Sequence, residues 1–168
     1  VVEDACPAVG AYSGDQHAGT LGDFGCFSFH AAKIMTTGFG GMIVTDDDDL
    51  YERLIHLADH GEDKNHPQRF WQTDVGYTFD LPNICCAMGL AQLERMDEFL
   101  TKKKQIFKWY KERLPYEMNP GDGFYKPNYV MSSALVPKRD EAIKKLKEKD
   151  IDTRPFFFPI SKFPMYKT

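Results

Sequence analysis

The chain has 168 residues, 42% of them hydrophobic and 14% aromatic, which is enough to bury one sizeable core and argues against disorder. A net charge of −4, with the lysines of 102–104 and 144–149 interleaved among apolar residues at helical spacing, excludes the basic footprint of a nucleic-acid binder. There is no run of eighteen apolar residues and no C-x-x-C pair among Cys6, Cys26, Cys85 and Cys86, and the opening residues carry no expectation of a secretory leader. The expectation is therefore a globular chain of the reducing cytoplasm, with no membrane partner and no metal site.

In chain order, residues 1–5 predict a short buried strand that ends on an acidic residue, and the start inside such a run predicts a piece of a longer polypeptide. Pro7 through Gly25 carry turn chemistry, on the kind of loop where function collects. Further strands are expected at Cys26–Phe29 and Met42–Thr45, with Gly38-Phe39-Gly40-Gly41 as the turn before the second, which places Lys33 in their connection. Leu50, Leu54, Leu57 and Ala58 fit an amphipathic helix with Asp46–Asp49 at its amino end and Gly61 as its stop.

Residues 62–81 are polar and aromatic without a period. They run longer than a structureless loop usually does in a compact domain, so ligand or subunit contacts are expected there. Pro82 suits a first helical turn. Beyond it Ile84, Met88, Leu93, Met96, Leu100, Phe107 and Tyr110 predict one long helix or two successive ones, ending near Pro115. After a turn-rich stretch over 116–128, the pattern reads strand 129–136, helix 140–149, strand 151–157. The whole is an α/β chain, divided into residues 1–115 and a small second α/β domain over 116–168.

Three short motifs stand at fixed spacing: Glu3-Asp4-Ala5, then Gly22-Asp23-x-x-Cys26-Phe27-Ser28-Phe29-His30-x-x-Lys33, then Thr37-Gly38-x-Gly40-Gly41-Met42-x-Val44-Thr45. A lone lysine is far more often a solvated surface residue, a lone serine a polar filler, and G-x-G-G a flexible turn. Together, and with His60-Gly61, Val75-Gly76-Tyr77, Asn83, the run Gly89–Arg95 and Thr153-Arg154-Pro155-Phe156-Phe157, they make the chain resemble the DegT/DnrJ/EryC1/StrS family of nucleotide-sugar aminotransferases. These enzymes depend on pyridoxal 5′-phosphate (PLP).

The resemblance implies the fold type I aminotransferase architecture, here the carboxyl-terminal part of the large domain followed by a small α/β domain. It implies Lys33 as the catalytic Schiff-base residue that holds the cofactor and later serves as general acid and base. It also implies Asp4 as the acid paired with the pyridine nitrogen, and Ser28 as a hydrogen-bond donor to the cofactor phosphate. Such a site needs a lysine for the imine, an acid to keep the ring protonated as an electron sink, and donors for the phosphate. Gly38, Gly40 and Gly41 are read as a turn, and His30 is given no catalytic role.

The implied reaction moves an amino group, with glutamate as donor, to a nucleotide-linked 4-keto-6-deoxy sugar of the perosamine type. It is carried out by a homodimer with shared sites, in which Thr78 would be the cross-subunit contact. The sequence departs from the family pattern at Pro7, where Gln or His is common, at Phe39, where an acid is usual, and at Thr78, where an asparagine stands. The family's amino-terminal segment has no counterpart here. Two alternatives stay open: a non-catalytic relative of the same fold, and a PLP-dependent sugar dehydratase, which Lys33 argues against because that branch carries histidine at this place.

Overall fold

The computed structural model describes residues 1–119 and 124–166, which fall into two units. One runs from Val1 to Ile106 and includes a later segment ending at Val130; the other comprises the chain from Phe107 and from Met131 onward.

In the first unit, β1 (Val2–Asp4) lies parallel to β4 (Phe24–Ser28), and β5 (Gly41–Val44) runs antiparallel to β4, giving the order β1-β4-β5. Short apolar runs bounded by glycines set these strands, as expected from the sequence. The register pairs Asp4 with Cys26 and Ser28 with Gly41. The strand expected to be buried over residues 1–5 is instead an edge: Val2 is 62% exposed, and burial begins at Ala5. Glu3 accepts backbone N–H bonds from Gly19 at 2.8 Å, Leu21 at 2.5 Å and Gly22 at 2.6 Å, tying the long loop to β1. Desolvation opposes them, yet these three bonds hold its carboxyl below the usual range.

That loop is not wholly irregular. It contains a hairpin of β2 (Tyr12–Ser13) and β3 (Gln16–His17) turned at Gly14-Asp15, and β6 (Tyr125–Lys126) joins β2 to make a second sheet, β3-β2-β6. Nearby, the buried Asn128 amide donates to the carbonyls of Pro7 at 2.6 Å and Val9 at 2.9 Å.

Asp47 caps α1 (Asp48–Ala58) by accepting from the Leu50 N–H at 2.9 Å, and Asp48 and Asp49 fill its first turn. The chain leaves through His60 and Gly61, both with positive φ. The returning segment closes against this exit: Tyr77 N donates to Leu57 O at 2.7 Å and His60 N to Tyr77 O at 2.8 Å. A Cβ on Gly76 would lie 2.1 Å from Gly61 N, so only glycine fits. Bridges pair Asp59 with Thr78 and Glu62 with Gln72, folding residues 62–81 back on themselves.

The helical stretch beyond Pro82 is two helices, α2 (Asn83–Leu93) and α3 (Met96–Arg113), with Pro82 as the residue that caps the first. Phe29, Met35 and Met96 form the buried core of the first unit, flanked by Val9, Phe27, Ile34 and Leu100. The expected apolar face of α2 is not packed among the described residues; Ile84 is 73% exposed. No helix of the described residues is long and apolar enough to cross a membrane.

In the second unit, Asn119 and Ser133 exchange bonds, with Asn119 N donating to Ser133 O at 3.0 Å and Ser133 N to Asn119 Oδ1 at 2.6 Å; beside them, Met118 bridges Ala134. The expected helix forms as α4 (Arg139–Lys147). The strands expected over 129–136 and 151–157 do not. Tyr129 and Asp150 turn left-handed just where each would begin; the first run makes only the isolated bridge of Ala134 to Met118, with Leu135 N donating to Glu117 O at 2.9 Å, and the second forms no strand among the described residues. Residues 120–123 of the turn-rich stretch lie outside the described residues.

Candidate active site

Parallel pairing of β1 with β4 brings their carboxyl ends to one edge, and antiparallel β5 begins at that same edge. Asp4 is the last residue of β1 and Ser28 the last of β4. Lys33 sits in the connection to β5, its N–H donating to His30 O at 2.9 Å. Open α/β sheets place ligands at such an edge.

The acid at this edge is ionised. The Cys6 thiol and the Cys6 backbone N–H, the latter 3.2 Å from Asp4 Oδ1, hold the Asp4 carboxyl below its usual range, and the charge of Lys33 adds to the effect. Asp4 in turn pushes the Cys6 thiol up, so that the sulfur keeps its proton and donates. Ser28 Oγ accepts from His30 N at 3.3 Å, which leaves the hydroxyl proton for another acceptor. His30 meets Phe39 edge-on with ring centroids 5.7 Å apart.

The Lys33 connection is held at many points. Phe29 N donates to Gly40 O at 2.9 Å, Thr37 N to Phe29 O at 3.0 Å and Thr36 Oγ1 to Phe29 O at 2.9 Å. Gly38 and Gly40 make the turn expected of them, both with positive φ. Ile34 and Met35, directly after the lysine, pack into the core cluster.

Thr78 stands apart from this group. Its hydroxyl is 2.8 Å from His60 Nε2, His60 Nδ1 is 3.1 Å from Asp59 Oδ1, and Lys64 pairs with Asp59. With the imidazole proton on the nitrogen facing the carboxylate, Nε2 accepts the Thr78 proton. Sequence reasoning assigned no role to Cys6, whose only signal is its place two residues after the acid, or to Gln92, which it named only as part of the matched run Gly89–Arg95.

An ionised carboxylate, an amine and a hydroxyl at the carboxyl edge of a mixed sheet fit the demands of PLP: a partner for the ring nitrogen, an attachment point and a phosphate donor. The fold belongs to the fold type I aminotransferases. The chain superimposes on the aminotransferase TlmJ from Streptoalloteichus hindustanus with a TM-score of 0.90 at 27% identity, covering 99% of this chain and 47% of that one.

The chain belongs to the DegT/DnrJ/EryC1/StrS aminotransferase family, whose model matches residues 1–168. Enzymes of this family are PLP-dependent. Among its relatives, the GDP-perosamine synthases of Escherichia coli O157:H7 and Caulobacter vibrioides are each 38% identical over 99% of this chain. The chain spans about half the length of these curated relatives, 46% and 47% respectively.

Proposed function

We propose that this chain is the cofactor-lysine portion of a PLP-dependent aminotransferase that moves an amino group from glutamate to a nucleotide-linked 4-keto-6-deoxy sugar of the perosamine type. The meeting of Asp4 and Ser28 at the shared carboxyl end of β1 and β4, with Lys33 in the connection that follows β4, carries this reading. The two GDP-perosamine synthases support the sugar class.

In this reading Lys33 Nζ holds the cofactor, Asp4 accepts a hydrogen bond from the ring nitrogen, and Ser28 Oγ donates to the phosphate. Bound there, PLP supplies an electron sink for the carbanion that forms at the donor's α-carbon. The Cys6 donors lower the Asp4 carboxyl further below its usual range, and its negative charge favours a protonated ring. With the cofactor and the amino donor in place, Lys33 Nζ would be the group that takes the donor's α-proton as a base and gives it back as an acid. Residues 1–115 serve as the carboxyl-terminal part of the cofactor-binding domain and 116–168 as part of the small domain, within a homodimer whose sites are shared.

The test is spectroscopic. The full-length protein supplied with PLP is expected to show a visible band that borohydride bleaches, with the reduced cofactor found on the peptide containing Lys33. Glutamate and a GDP-linked 4-keto-6-deoxy sugar should then give the 4-amino sugar. Absence of the band would favour the non-catalytic reading of the fold.

A further inference from the structure

Gln92, in the last turn of α2, reaches across to the connection that carries Lys33. Its Oε1 accepts from Thr36 N at 3.1 Å, and its Nε2 donates to Thr36 O at 2.5 Å and to Met88 O at 3.1 Å. One side-chain amide thus meets both backbone polar groups of a loop residue, as a neighbouring strand would. Thr36 passes the restraint on: its hydroxyl donates to Phe29 O at 2.9 Å and accepts from Gly38 N at 2.9 Å.

Two neighbours of Gln92 in sequence serve the same loop. Three residues before Gln92, Gly89 is buried, and a Cβ there would lie 3.1 Å from Thr37 Cγ2. Just beyond the helix, Met96 at the start of α3 packs with Met35 in the core. Lys33 therefore hangs between β4 and a segment fixed by two core residues and an amide clamp, three residues from Thr36.

We propose that Gln92 is a positioning residue: by holding the Thr36 backbone it sets where the Lys33 amine stands relative to Asp4. This rests on the reading of Lys33 as the cofactor lysine. The clamp needs a donor and an acceptor side by side on a side chain of this length. Glutamate supplies only acceptors, asparagine is one methylene short, and methionine has the length without the bonds.

The experiment uses the full-length protein with Gln92→Glu and Gln92→Met, and Glu94→Gln as a control on the same helix end. Hydrogen exchange of the peptide covering 34–38, measured without cofactor, is expected to accelerate roughly tenfold in both Gln92 variants and not in the control. With PLP bound, the pH midpoint of the visible band should move and kcat should fall while KM for the amino donor stays near wild type. Unchanged exchange overturns the clamp. Faster exchange with an unmoved midpoint and kcat makes Gln92 a structural residue only and overturns the positioning role. If borohydride fails to fix the cofactor on Lys33 in the wild type, the cofactor-lysine reading falls and the positioning role falls with it, while the exchange result still reports the clamp by itself.

Discussion

Asp4 ends β1 and Lys33 follows the end of the paired strand β4, near enough for the lysine's charge to add to the lowering of the Asp4 carboxyl behind the two Cys6 hydrogen bonds, although the two residues belong to different segments of the chain. Parallel pairing of β1 with β4 creates the approach, because it puts both carboxyl ends on one side and sends the Lys33 connection back over them. Removing the amine while leaving this frame in place is the direct test. Lys33→Ala in the full-length protein is expected to lower amino transfer on the order of a thousandfold or more. It should also abolish the borohydride-sensitive band and leave the far-ultraviolet circular dichroism unchanged. Normal turnover in this variant would remove Lys33 from the chemistry.

Cys6 lowers the Asp4 carboxyl by donating to it, through its thiol first and its backbone N–H second. Cys6→Ala deletes the thiol and keeps the N–H, so the Asp4 carboxyl should rise toward its ordinary range. Because the ionised form is the one that stabilises a protonated ring, the acid limb of the kcat/KM profile is expected to shift to higher pH, with the plateau little changed. A pH–rate profile of wild type and variant decides it; coincident acid limbs would mean that the thiol does not tune Asp4.

The strands that frame the site were legible because each is a short apolar run between glycine-rich turns, and the acidic run 46–49 marked the start of α1 through Asp47 as its cap. Asp4, Ser28 and Lys33 were each weak signals as residue types and became candidates through their spacing in a family pattern. What could not be read depends on distant partners. β2 and β6 are two-residue strands paired as Tyr12 with Lys126 and Ser13 with Tyr125, far apart in sequence and too short for alternation to show. The runs after Tyr129 and Asp150 have strand-like composition, yet composition cannot show that the first finds only the single bridge of Ala134 to Met118. Gln92 stood in the matched run Gly89–Arg95, but its role could not be read because its partner Thr36 lies 56 residues away.

Asp74 ties the loop after α1 to the helix. It accepts from Arg53 at 2.6 and 3.1 Å and lies 2.9 Å from His56 Nε2. The Arg53 guanidinium first, and His56 second, lower its carboxyl to about 2 from an ordinary 3.8. A depressed acid contributes stability that is present above its unfolded value and lost as pH falls through its folded value. The urea midpoint of wild type should therefore exceed that of Asp74→Asn at pH 7, by a modest margin for so exposed a pair, and the gap should close between pH 4 and 2. A gap independent of pH over that window would show that the ion pair contributes nothing.

Gly76 and Gly38 separate steric exclusion from backbone conformation. A Cβ at Gly76 would lie 2.2 Å from the carbonyl carbon of His60 and 2.1 Å from Gly61 N, and these are backbone atoms that cannot rotate aside. At Gly38 nothing lies within 4 Å of the same added atom, and only a φ of +83° disfavours a side chain. Gly38→Ala should therefore cost about 1–2 kcal/mol, the usual penalty of a left-handed residue. Gly76→Ala should cost about 3 kcal/mol or more, because overpacking against main chain forces the exit of α1 to move. Chemical denaturation of the two variants side by side measures the difference. Equal losses would show that the His60–Gly61 exit yields to a methyl group and that Gly76 is held there by nothing the fold requires.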